Sequence, residues 1–374
     1  MRVAILHDYL NQFGGAERVL LALLELFPSA DLYTLLYDNK KTFGLFRKNL
    51  KKTSILDKPF IRNHHRAFIP FMPLAAGAMA IDNDYDLVIS STAGYAKGFG
   101  LRHRPGISHR LPYHISYCHS PLRYAWEIDY LKNLAFAPWP IKEVIVRPIA
   151  GLLRGWDAES SRSVNVFLAN SKYIADKISS YYCREAQVVY PPVDTSVFYH
   201  EKTVKPADFF LMAGRLLYYK GFDLGIRAFN QLGLSLKIVG SGPEFQKLQS
   251  LAKSPNIEFV RNVSDERLRR LYNEARALIF PQIEDFGLVA AEAQSCGLPV
   301  LAYAKGGASE IVTPGKTGLL FEEQSPESII RAVKDFDRMK FNRDAISRSA
   351  ARFSKERFKN EFLKIIYQSG LKFS

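Results

Sequence analysis

Three observations predict an α/β chain of two parallel-sheet domains facing each other across a cleft. Short apolar runs of strand type recur along the 374 residues, and the intervening stretches are long enough for crossover helices. A proline-bearing polar segment interrupts the series once, and the length exceeds what one ordinary core needs.

The first domain opens with Val3-Ala4-Ile5-Leu6, a buried-strand pattern. Asn11, Gly14 and Gly15 follow, then an apolar helix through Val19, Leu20, Leu23, Leu24 and Leu26. Residues 87–91, 114–117, 166–169 and 188–190 repeat the apolar pattern. The segment 190–208, with Pro191, Pro192 and Pro206, reads as the linker. The pattern restarts at 209–213 and continues at 236–239, 257–260, 277–280 and 299–303. The expected division is therefore a first domain over 1–200 and a second over 201–351. A closing helix over 352–374, with Phe358, Phe362, Ile365 and Ile366 on one face, is expected to pack back. No repeat of solenoid length occurs.

No apolar stretch reaches the roughly 18 residues of a membrane-spanning helix, and charges in the first 20 positions exclude a secretory core. The expected location is the cytoplasm. Cys118, Cys183 and Cys296 fit neither a disulfide framework nor a zinc cluster. The formal net charge is +14, concentrated in the first half: 40–66 holds nine Lys or Arg against Asp57 alone, and 97–110 adds Lys97, Arg102, Arg104 and Arg110. No nucleic-acid-binding motif accompanies them, so no nucleic acid is expected. Phe68-Ile69-Pro70-Phe71-Met72-Pro73-Leu74 lies between the basic stretches, and Trp139, Ile141, Val144, Ile145 and Ile149 follow beside Lys142, Arg147 and Arg154. Basic groups beside apolar ones suit an anionic membrane surface on the inner face of the cell membrane. The plainer reading is solvated charge beside ordinary core.

The chemistry concentrates in Pro281-Gln282-Ile283-Glu284-Asp285-Phe286-Gly287-Leu288-Val289-Ala290-Ala291-Glu292. A strand ends before it and a helix is expected from Gly287 to Cys296, which leaves Glu284 at the ligand end of a βαβ unit and Glu292 two turns into the helix. Carboxylates accept paired hydrogen bonds from vicinal hydroxyls, so Glu292 suits a ribose diol and Glu284 a hexose. Asp285 reads as a helix cap. Arg215 and Lys220 follow the first strand of the second domain as a cationic pair suited to a departing diphosphate. Those cations argue against a glycosidase, which has no diphosphate to hold. The turns at Gly14-Gly15 and Gly240-Ser241-Gly242 permit close backbone approach to a ligand. Gly306-Gly307-Ala308-Ser309-Glu310 is similar, with Ser309 or Glu310 capping a helix. His119, directly after a first-domain strand, is expected to face Glu284 and to hydrogen-bond a sugar hydroxyl or phosphate. Strand alternation turns Cys118 the other way, against a thiol protease.

Together these residues resemble the retaining GT-B glycosyltransferases of family 4, over nearly the whole chain. The E-x7-E signature stands as Glu284 to Glu292, the phosphate-binding cations match Arg215 and Lys220, and the cleft histidine matches His119. His7-Asp8-Tyr9-Leu10 with Gly14-Gly15-Ala16-Glu17-Arg18, residues 117–126, Ala169-Asn170-Ser171-Lys172 and Tyr190-Pro191-Pro192-Val193-Asp194 look like bacterial mannosyltransferases of O-antigen and exopolysaccharide assembly. The resemblance implies two Rossmann-like domains and a sugar-nucleotide donor, GDP-mannose first, with no other cofactor and no metal. It implies a lipid-linked glycan acceptor. By position it implies catalytic roles for His119, Arg215, Lys220 and Glu284. Donor contacts fall to Gly14, Gly15, Ser241, Gly242, Glu292 and the amides of Phe286, Gly287 and Leu288. Retention would proceed by front-face substitution without an enzyme nucleophile. Arg261 stands where relatives carry glycine near the nucleobase, which leaves the base open. UDP-glucose or UDP-galactose transferases and sucrose- or glycogen-synthase-like enzymes are the enzymatic alternatives. A non-catalytic anion-binding protein that uses its basic first half on nucleic acid is the alternative from another class.

Overall fold

The computed structural model describes residues 1–82, 84–100, 111–127 and 141–371, without the side chains of 141–145. Arg102, Arg104, Arg110 and Trp139, and the side chains of Ile141, Lys142, Val144 and Ile145, lie outside the described residues. The chain divides into two compact units, Met1–Tyr190 with Lys359–Ser374, and Pro191–Phe358.

The first unit is a seven-stranded sheet of β1 (Val3–Leu10), β2 (Asp31–Tyr37), β3 (Leu50–Thr53), β4 (Leu87–Thr92), β5 (Tyr113–Cys118), β6 (Val166–Ala169) and β7 (Ala186–Val188). Their order is β3-β2-β1-β4-β5-β6-β7, and every pairing is parallel. Ile5 lies in register with Leu32 on one side and Ile89 on the other, so the central strands are apolar on both faces. A parallel sheet covered on both faces requires that composition. The helix Gly15–Leu26 returns the chain from β1 to β2, with Val19, Leu20, Leu23 and Leu24 buried.

The second unit holds β8 (Phe210–Ala213), β9 (Leu236–Val239), β10 (Ile257–Val260), β11 (Leu278–Phe280), β12 (Val300–Tyr303) and β13 (Gly318–Phe321). The order β10-β9-β8-β11-β12-β13 is doubly wound, reversing direction between β8 and β11. Strands β2, β3 and β13 are absent from the sequence expectations. In β2, Leu32, Leu35 and Leu36 carry helix-like spacing. In β3, two lysines on a sheet edge conceal a strand whose charge blocks further pairing. The helix Lys355–Gln368 buries Phe358, Phe362, Ile365 and Ile366, the predicted face. Phe362 meets Phe27 edge to face, and Lys359 donates to Glu25 at 2.6 Å, both within the first unit.

Lys97, read from sequence as part of a basic stretch seeking an anionic surface, is instead only 1% exposed. Its ammonium meets the Asp157 carboxylate and donates to the Gly94 carbonyl at 2.6 Å. Trp126 Nε1 and Tyr182 Oη each donate to Asp157 at 2.7 Å. A buried charge is tolerated only when paired and hydrogen-bonded, as here.

Candidate functional site

In the second unit, the loops after β8 and β11 leave the carbonyl ends of the two strands flanking the reversal of order. Ligands of open α/β sheets collect at such a point. The β8 loop makes a 3-10 turn over Tyr218–Lys220, closed by Gly221 at φ 65°. That positive φ suits glycine. Pro281, at the start of the β11 loop, lies beside Gly221, where an added Cβ would come within 3.1 Å of its Cγ. The consequence is an ion pair between Lys220 Nζ and Glu284 Oε1, both part-buried. Two of the residues predicted from sequence are thus in direct contact. Arg215 is exposed, earlier on the same loop as Lys220.

Glu284 is held by backbone. Its carbonyl accepts the Gly307 amide at 2.9 Å, and Gly306 takes φ +75° with an added Cβ only 2.5 Å from the Glu284 oxygen. A Cβ on Gly307 would approach Phe286 Cα to 2.4 Å and Asp285 O to 2.6 Å. The Gly306-Gly307 pair is therefore the bed on which the acidic loop rests. Ser309 Oγ donates to the Gly306 carbonyl at 2.8 Å. Ser309 and Glu310 lie inside the helix Ala308–Ile311, whose cap is Gly307, so neither caps it.

The helix after Glu284 runs Leu288–Ser295 and is capped by Gly287 at φ 102°, not by Asp285. Glu292 is its fifth residue, so it lies little more than one turn in, not two. It is buried, and one turn later Cys296 has its thiol pushed up by burial and then by the Glu292 charge. Ser241 and Gly242 lie on the loop after β9. Leu216 donates to the Ser241 carbonyl at 2.9 Å, and Gly214 to that of Val239 at 3.0 Å. A Cβ on Gly240 would fall 1.9 Å from the Gly214 oxygen, and one on Gly242 2.3 Å from that of Leu216. The neighbouring loop by itself already requires glycine at both positions. Arg261 is exposed and stacks its guanidinium 4.5 Å above the Phe245 ring.

In the first unit, order reverses between β1 and β4. His119 follows β5; its amide donates to Thr92 O at 2.7 Å, and Asn170 Nδ2 donates to its carbonyl at 2.9 Å. Its Nε2 lies 2.8 Å from Ser91 Oγ, which lies 3.1 Å from His7 Nδ1. Burial, and then the neighbouring His7, lower the His119 pKa to about 3. The imidazole is neutral at ordinary pH. Cys118 faces an apolar cluster with Phe167, Ile174 and Ile178, as alternation requires. Gly14 caps the helix Gly15–Leu26, and an added Cβ there would come 3.3 Å from Glu17 Oε2. Asp8 accepts amides of Ala93, Tyr95 and Ala96 at 2.5, 2.9 and 2.5 Å, bracing the loop beyond β4. The sequence motifs contain His7, Asp8 and Asn170, but only their folded neighbours reveal their roles. Ser91 carries no motif.

Two doubly wound parallel sheets, with an Arg, Lys and Glu set at the reversal point of the second, define the two-domain α/β class of GT-B fold. The chain belongs to the family 4 glycosyltransferases: the family model "Glycosyltransferase Family 4" matches residues 13–197 and "Glycosyl transferases group 1" matches 198–353. A D-inositol 3-phosphate glycosyltransferase of Mycobacteroides abscessus is 34% identical over 210 residues, 49% of this chain and 47% of that protein. A GDP-mannose-dependent alpha-(1-6)-phosphatidylinositol monomannoside mannosyltransferase of Mycolicibacterium smegmatis is 34% identical over 138 residues, 32% of this chain and 36% of its own. The chain spans about half the length of the curated relatives it matches first. Anabaena HepE, solved with UDP, shares the fold with a TM-score of 0.73 at 16% identity, covering 98% of this chain and 100% of HepE.

Proposed function

We propose that the protein transfers a hexose from a nucleoside diphosphate sugar, GDP-mannose first, to a lipid-linked glycan acceptor with retention of configuration. The observation that carries this reading is the Lys220–Glu284 pair at the reversal point of the second sheet. A cation and a carboxylate side by side suit a ligand with phosphate at one end and hydroxyls at the other. On donor binding, the diphosphate takes over Lys220, with Arg215, and Glu284 turns to the hexose hydroxyls. The amides of Phe286, Gly287 and Leu288, at a helix N-terminus, favour the same anion. Glu292 takes the ribose, and Ser241 and Gly242 line the donor from the β9 loop. In the first unit, Gly14, Gly15 and His119 are the proposed donor contacts.

In the reaction, the bond from anomeric carbon to phosphate oxygen breaks while the acceptor oxygen bonds to that carbon on the same face. The acceptor proton passes to the departing phosphate. Negative charge grows on the diphosphate as its bond breaks, so Lys220 and Arg215 bind the transition state more tightly than the ground state. No metal and no further cofactor enter the proposal, so a chelator should leave transfer unchanged.

The mannose assignment draws on the M. smegmatis relative, whose name specifies GDP-mannose. A panel of GDP-mannose, UDP-glucose and UDP-galactose, with transfer and hydrolysis followed separately, tests it. Greater turnover with a UDP-sugar would replace the donor. Glu284→Ala is expected to lower transfer by 10²-fold or more, in the range of lost transition-state contacts; full transfer would sink the site assignment. We further propose peripheral association with the inner face of the cell membrane, on the cytoplasmic side. Its support is the segment from Lys58 to Gly77, which carries no acidic residue and exposes Phe60, Phe71 and Leu74 beside Lys58 and Arg66. No helix among the described residues is long and apolar enough to cross a membrane.

A further inference from the structure

Four donors converge on the carboxyl group of Asp8. Its Oδ2 accepts the Ala93 amide at 2.5 Å, and its Oδ1 accepts the amides of Tyr95 and Ala96 at 2.9 and 2.5 Å and the Thr92 hydroxyl at 3.4 Å. The Gly94 amide, between them, donates to Thr92 Oγ1 at 3.0 Å. Every contact calls for an acceptor, and a proton on either oxygen would be turned toward a donor, so the arrangement fits the ionised group. Burial raises the Asp8 pKa, while His7, the Ala93 and Ala96 amides and Lys97 lower it. A loop whose closely spaced N–H groups point at one anion is the cradle that α/β sheets offer to a ligand phosphate beyond their strand ends. Here the chain itself supplies the anion.

The two sheets treat this position in opposite ways. β4 lies across the reversal of order from β1, the first strand of its unit, as β11 lies across from β8. In the second unit the loop after β11 meets a cation, Lys220, from the loop after β8. In the first, the loop after β4 meets an anion from β1 itself. Lys97, on that loop, does not reverse the sign, because its ammonium is paired with Asp157 and bonded to the Gly94 carbonyl. His119, whose amide donates to Thr92 O, is neutral. We infer that Asp8 is a positioning residue that stands in for a bound phosphate: its carboxylate shapes the loop over 93–96, closes it to anions, and leaves its rim, where Ala93 is exposed, to an uncharged hydroxyl-bearing group. Under the proposed function that group is the acceptor sugar.

That last assignment rests on the proposed sugar transfer, whereas the cradle is tested without substrate. Asp8→Gly empties it, formate is a carboxylate small enough to refill it, and formamide has nearly the same shape without the charge. Thermal unfolding of the full chain should show Asp8→Gly stabilised by several degrees in sodium formate over sodium chloride at equal ionic strength. Wild type should be unmoved, and formamide without effect. Transfer by Asp8→Gly should fall about tenfold or more, as expected for a displaced loop, and recover in formate. Inorganic phosphate should compete with the acceptor in Asp8→Gly and not in wild type. Asp8→Asn keeps the side chain's shape and turns an amide donor toward the loop amides. It should lose transfer to a similar degree without recovery in formate, and it carries the test if Asp8→Gly does not fold. Stabilisation of Asp8→Gly by formate and formamide alike, or by neither, overturns the inference, as does full transfer by Asp8→Asn. Phosphate that leaves the acceptor uncontested in Asp8→Gly overturns the assignment of the rim. If formate refills the cradle as expected while wild type transfers no sugar from any nucleotide, the transfer reading fails and the cradle stands.

Discussion

His114 and His119 are both neutral in the fold, for reasons that translate into acid stability. His114 is buried on β5, with Nε2 2.9 Å from Ser90 Oγ and no partner for Nδ1 among the described residues. Burial lowers its pKa to about 4. An unfolded histidine titrates near ~6.5, so as pH falls the unfolded chain takes up this proton before the folded one does. The stability conferred by the neutral ring is thus complete above the unfolded value and drains away as pH drops toward the folded one. Each pKa unit is worth about 1.4 kcal/mol, which makes the loss a few kcal/mol. Urea unfolding of wild type and His114→Phe between those two pH values is expected to give a shallower pH dependence in the variant. Parallel curves would show that His114 is not held neutral.

At the scale of an element, the acidic loop before the helix Leu288–Ser295 depends on glycines that never enter it. Gly307→Ala should displace the loop through its contacts with Asp285 and Phe286, because the obstructing atoms are backbone and cannot swing aside. We expect donor binding to weaken at least tenfold, read by thermal shift with nucleoside diphosphate, while a Gly151→Ala control with open space around it changes nothing. Equal donor affinity in Gly307→Ala would mean that the loop holds its own shape. This dependence marks the boundary of what the chain discloses before it folds. The strands at the sheet centres were legible because a strand covered on both faces must be continuously apolar. Glu284 and Lys220 stood out as candidates because each follows an apolar strand run, and Glu292 because it lies eight positions beyond Glu284. The ion pair of Lys220 with Glu284, the Gly306-Gly307 bed and the Ser91 hydroxyl shared by two rings join residues distant in sequence, and no local pattern encodes them. Lys97 misled for the same reason: its partner Asp157 stands 60 positions away, so a buried pair looked like surface charge.

At the scale of the whole molecule, the formal charge of +14 favours long-range attraction to anionic surfaces, and under the membrane association proposed above the exposed Phe60, Phe71 and Leu74 would supply the apolar contact that charge alone does not. Sedimentation with vesicles containing anionic lipid should capture the protein at low salt. Release is expected as ionic strength rises, since a Debye length shrinks from ~10 Å at 0.1 M to ~3 Å at 1 M. Phe60→Ser with Phe71→Ser and Leu74→Ser should reduce capture about tenfold or more; unchanged capture would move the contact elsewhere. Attraction of that kind tolerates sequence drift. The β8 and β9 loops do not: with carbonyls of one seated on glycines of the other, Arg215 and Ser241 are carried on a single plate. Anyone who wished to graft a different donor preference into this scaffold would therefore have to transplant both loops as one cassette, because either half alone would arrive without the surface it was shaped against.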